Sequence, residues 1–92
     1  MNDHERKLLK SARNGGVAAF EELTAPHHKI IYNYILSKCG NEFEACQLTQ
    51  DVFVKVFEQL TAGSLQGDFF ACIYRTAGDV CRNIVRVSQK IS

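Results

Sequence analysis

Ninety-two residues are enough for one small domain with one core, and 46% hydrophobic against 23% charged residues excludes a disordered tail. No apolar run nears the ~20 residues of a membrane span, and the start MNDHERKLLK is charged, with no apolar signal segment; the expectation is a soluble, cytoplasmic chain with no membrane span. The net charge of +1 hides a gradient: residues 1–40 carry six basic and four acidic groups, 41–68 one and five, and 69–92 four and one, a pattern that suits two partners of different charge.

Glycines cluster at joints, there is one proline, and apolar spacings of three and four dominate, so the chain predicts an all-α fold. A first helix is expected over about 3–13, capped by Asn2 or Asp3 and closed by Asn14-Gly15-Gly16. A second is expected over 17–38, with Phe20, Leu23, His27, Ile30, Ile31 and Tyr34 at helical spacing and a kink or break near Pro26, because proline removes a backbone donor and crowds the preceding turn. After Cys39-Gly40-Asn41 a third helix spans about 42–60. The loop Thr61 to Gly67 leads to a fourth, about 68–88. The result is a compact bundle of about four helices in one domain.

Cys39, Cys46, Cys72 and Cys81 include no C-x-x-C pair, and no histidine stands at zinc-finger spacing. They read as reduced thiols, with Cys81 and Cys46 as small core residues. Cys39 and Cys46 with His27 and His28 form a remote metal-site alternative; the plainer expectation places one of the adjacent histidines on the apolar side of its helix and the other in water. No nucleophile–base arrangement, phosphate-cradling glycine loop or carboxylate pair is evident, so neither an enzyme nor a cofactor is expected.

At 100° per residue, Ala45, Cys46, Leu48, Val52, Phe53, Val56, Phe57 and Leu60 form the expected core arc of the third helix. Gln47, Gln50, Asp51, Val54 and Glu58 line the opposite side at i, i+3, i+4, i+7 and i+11. Uncharged amides and a bare valine contribute little to solubility, but they are desolvated at lower cost than charges and suit an interface. An ordinary solvated face is the alternative. In the fourth helix the apolar arc is Phe69, Phe70, Ile73, Tyr74, Ala77, Val80, Cys81, Ile84 and Val85. Arg75, Arg82 and Arg86 share the other side, and Lys90 prolongs the stripe. Guanidinium groups in line suit a run of phosphates, although Asp79 interrupts them and a solvated basic face is again the alternative.

In order along the chain, AFEEL (19–23), IIYNYI (30–35), CQLTQDVFVKVFEQL (46–60) and FFACIYRTAGDVCRNIVR (69–86) resemble region 2 of the extracytoplasmic-function sigma factors, the small promoter-recognition subunits of bacterial RNA polymerase. LTQDVFVKVFEQL is the most specific segment, and the likeness runs from about residue 8 to residue 88. The resemblance implies a region 2-like helical bundle. It implies docking of Gln47, Gln50, Asp51 and Val54 on the clamp helices of the largest subunit of core RNA polymerase. It also implies contact of Arg75, Arg82, Arg86 and Lys90 with the backbone of promoter DNA, and a base pocket shaped by Ser64, Leu65 and Gln66 that holds the melted non-template strand of the minus-ten element. An anti-sigma factor is a further partner of that family.

The chain departs from the family at Cys46 and Gln47, where an acidic pair is common, at Cys72, where tryptophan is usual, at Gly78-Asp79, where Arg-Asn is common, and at Asn83, where an acid is common. The wheel places Cys72 on the polar side. Nothing corresponds to the helix-turn-helix region 4, so the expectation is either a fragment of a longer factor or a stand-alone region 2 protein. The alternative to a promoter-melting factor is therefore a regulator or co-sigma subunit that binds polymerase or another protein without opening DNA.

Overall fold

The computed structural model describes the backbone of residues 1–65 and 67–91 and the side chains of 1–65 and 67–83. Four helices follow one another: α1 (Asp3–Arg13), α2 (Val17–Cys39), α3 (Glu42–Thr61) and α4 (Phe69–Ile91). Their ends follow local chemistry. Asn2 accepts from the Glu5 N–H at 2.7 Å while Glu5 reaches back to the Asn2 N–H at 3.0 Å, a reciprocal capping box. Asn41 accepts from the Glu44 N–H and caps α3, and Asp68 accepts from the Ala71 N–H at the start of α4. Gly40 closes α2 in the left-handed region, at φ 70°, where its N–H donates to the Leu36 carbonyl.

Of the kink or break expected near Pro26, the break does not occur: α2 runs from Val17 to Cys39 with Pro26 inside it, 23 residues in all. Proline removes the donor to the Glu22 carbonyl and crowds that same carbonyl with its ring. Glu22, Ala25 and Pro26 all lie on the exposed side of the helix, where water can satisfy that carbonyl. Buried Phe20, Leu23 and Thr24 before the proline, and Ile31 and Ile35 after it, anchor both halves to the same core.

α2 packs on each of the other three helices, α3 also packs on α1 and α4, and the core lies between them. Ile31, Ile35, Val52, Val56, Leu60 and Ile73 are its largest fully buried apolar side chains. Phe20 of α2 ties α3 and α4 together, edge-on to Phe57 with ring centroids 4.9 Å apart and edge-on to Phe69 at 6.1 Å. Buried Thr24 and Thr49 turn their hydroxyls back to the Phe20 and Ala45 carbonyls, at 2.8 and 2.6 Å. Among the described residues no helix is long and apolar enough to cross a membrane.

Three wheel assignments change. Cys46, expected in the core, is exposed. It stands at the edge of the arc, where the larger Phe57 at a similar angle packs on Phe20. Cys72, expected on the polar side, is fully buried, with Thr76 buried one turn on. Tyr74, assigned to the apolar arc, is 42% exposed. The last two have one cause. The buried arc of α4 is rotated toward α3, where the Cys72 thiol donates to Gln59 Oε1 at 3.4 Å, and away from the flank that carries Tyr74.

Candidate protein-docking and nucleic-acid-binding faces

Gln47, Gln50, Asp51 and Val54 are all exposed on one side of α3, Val54 to 53%. Two of the four, Gln50 and Val54, also border a groove. Gln50, Val54 and Glu58 form one wall of a groove of about 450 Å³, and Val17, Glu21, Thr24 and His28 of α2 form the other. Its floor is aromatic, made by Phe20, Phe53 and Phe57. An apolar floor, two carboxylates on the rims and one amide describe a site for a partner's apolar side chain flanked by cations. The stripe was visible in the sequence; the α2 wall was not, because it depends on which helix packs beside α3.

Each of the adjacent histidines packs its ring on an aromatic, His28 toward α3 and His27 toward α4. His28 lies flat on Phe53, with centroids 3.9 Å apart and planes 8° apart. Burial of that face is the main cause that pulls the His28 pKa below its ordinary value; Glu21 opposes the shift and His27 adds to it. His27 stacks on Phe70 at 4.7 Å and shares a 3.0 Å hydrogen bond between Nδ1 and the Tyr74 hydroxyl.

On α4, Arg75 and Arg82 are both exposed, and seven residues of helix bring them round to nearly the same angle. Arg82 is ion-paired with Asp79 one turn before it. Arg86 and Lys90 carry side chains outside the described residues. In the loop expected to shape a base pocket, Ser64 is exposed and Leu65 half-buried against the core, while Gln66 lies outside the described residues.

All four thiols are free. Burial is the main cause that raises the Cys81 pKa; Lys38 opposes the shift and Cys39 adds to it. Among the described residues no group of three or more His, Cys, Asp or Glu side chains is placed to hold a metal ion. No family model, curated protein or solved structure matches the chain.

Proposed function

We propose that the protein is a sigma factor region 2-like transcription initiation domain that docks on the clamp helices of core RNA polymerase through α3 and contacts promoter DNA through α4. The observation that carries the docking half is the placement of Gln50 and Val54. Both are exposed, and both wall an apolar groove whose rims carry Glu21 and Glu58. A pair of partner helices offering an apolar side chain between lysines or arginines matches that groove in shape and charge. The DNA half rests on the shared face of Arg75 and Arg82 and on the charge of +3 in residues 69–92.

The test is capture of a clamp-helix fragment of the polymerase largest subunit by the purified chain, followed by a gel shift on single-stranded minus-ten DNA with and without polymerase. Capture that weakens in Gln50→Ala and a gel shift that weakens in Arg82→Ala support both halves; a wild-type chain that captures nothing ends the docking half.

A second reading keeps the docking and drops the DNA. The ion pair between Asp79 and Arg82 favours it, since a phosphate must displace a carboxylate already in place. So does the burial of Cys72, at the position where the family usually carries a tryptophan. Polymerase binding with no change in DNA retention selects that regulator or co-sigma role.

A further inference from the structure

The groove between α2 and α3 carries charge of one sign. Among the described residues that line it none is a lysine or arginine, whereas Glu21 stands on the α2 rim and Glu58 on the α3 rim, both exposed. His28 adds no charge at neutral pH, because burial against Phe53 pulls its imidazole below the ordinary histidine value. The two acids also share one end of the groove. Phe20 of α2 packs on Phe57 of α3, and Glu21 and Glu58 each follow one of these rings directly in sequence. His28, stacked on Phe53, and Gln50, one turn before Phe53, stand toward the other end.

Between the rims the lining is hydrocarbon. Thr24 turns its hydroxyl away to the Phe20 carbonyl at 2.8 Å. Phe57 is half-buried and is the ring that a ligand meets. It is held in place from below, because buried Phe20 stands edge-on to it at 4.9 Å and is itself edge-on to Phe69. Val17 and Val54, 56% and 53% exposed, form apolar lips on the two walls. An aromatic floor fixed in advance, apolar lips and a pair of acids at one end are the parts of a site for an amphipathic organic cation. A metal ion is a poorer match, since two carboxylates over hydrocarbon leave most of its coordination positions unfilled.

We propose that this groove binds a small amphipathic organic ammonium, an aryl or alicyclic body bearing one protonated amine. The body lies on Phe57 between Val17 and Val54, and the ammonium sits between Glu21 and Glu58. The volume of about 450 Å³ is that of a small-molecule site. The binding itself stands on the groove alone, while its consequence rests on the proposed function. Gln50 and Val54 wall the groove and also form the docking ridge, so a bound amine and the polymerase clamp helices exclude each other.

The test titrates the full, nitrogen-15-labelled chain at low salt with 4-phenylbutylamine and with its alcohol and carboxylate counterparts, 4-phenylbutanol and 4-phenylbutyrate. Amide shifts are expected to cluster around Val17, Glu21, Val54 and Glu58. The amine is expected to bind about fivefold tighter than the alcohol, and the carboxylate weakest of the three. The double variant Glu21→Gln, Glu58→Gln should bind amine and alcohol alike while melting as wild type does, since both side chains are exposed. If none of the compounds binds, if the three bind alike, if the double variant keeps the wild-type preference, or if the shifts fall elsewhere, the site is wrong whatever the polymerase does. Saturating amine should also lower capture of the clamp-helix fragment. Capture undiminished by bound amine overturns the exclusion and leaves the site standing; a chain that binds the amine but captures no fragment overturns the proposed docking instead.

Discussion

The imidazole of His28 lies parallel to the ring of Phe53, 3.9 Å away, and joins α2 to α3 along the wall of the apolar groove. A protonated imidazole in that position loses hydration on one face. The folded protein thus binds this proton less readily than the unfolded chain, and the sign follows. Stability is complete above the ordinary histidine value of 6.5 and declines as the pH falls below it toward the lower folded value. His28→Gln should flatten that part of the curve of melting temperature against pH. A slope unchanged by the substitution would show that the stacked ring does not carry it.

The groove also sets the docking prediction. Val54→Ala removes the apolar part of its α3 wall without disturbing the core, since Val54 is 53% exposed. If the proposed docking on the polymerase clamp helices holds, that affinity is expected to fall by about 1 kcal/mol or more, roughly fivefold, with a thermal midpoint within a degree or two of wild type. Titration by calorimetry reads the first quantity and circular dichroism the second. A Val54→Ala chain that binds as tightly as wild type would move the docking surface off α3.

Cys72 is the position where the resemblance leads to a tryptophan and the structure leaves no room for one. The residue is fully buried and its thiol is bonded to Gln59 on α3. Cys72→Trp is expected to destabilise the protein by roughly 1–3 kcal/mol or more through overpacking, measured as a lower denaturation midpoint in urea. Should the tryptophan variant prove as stable as wild type and fluoresce like a solvent-exposed indole, α4 can rotate to present that flank.

Asn41 caps α3 by accepting from the Glu44 N–H at 2.9 Å, close to Glu42 and Glu44 in the first turn. Asn41→Ala removes the acceptor and leaves the first-turn donors to water, which costs about 1 kcal/mol. Asn41→Asp keeps it and adds a charge that the helix N-terminus favours, tempered by the two neighbouring glutamates. The expected urea midpoint is near wild type for Asn41→Asp and lower than either for Asn41→Ala; an alanine variant of wild-type stability would show that the cap is idle.

The helices and their ends were legible because their causes are local. Asn2, Asn41 and Asp68 cap whatever follows them, Gly40 is free to turn left-handed, and spacings of three and four mark Val52, Val56, Leu60 and Ile73 for the interior whatever lies opposite. The exposed ridge of Gln47, Gln50, Asp51 and Val54 was legible for the same reason. The boundaries of each buried arc were not, because a wheel has no knowledge of which neighbour leans on which flank. Cys46 lies exposed at the edge of its arc, Cys72 is enclosed because α4 is turned toward Gln59, and Tyr74 is left outside by that same turn. Pro26 stays helical because residues on both sides of it share one core, which outweighs a single missing hydrogen bond. The α2 wall of the groove and the pairing of His27 with Tyr74, 47 residues apart in the chain, exist only where helices meet. Local hydrogen bonds and apolar periodicity thus determine what each helix is, and non-local packing alone decides which of its side chains a partner can reach.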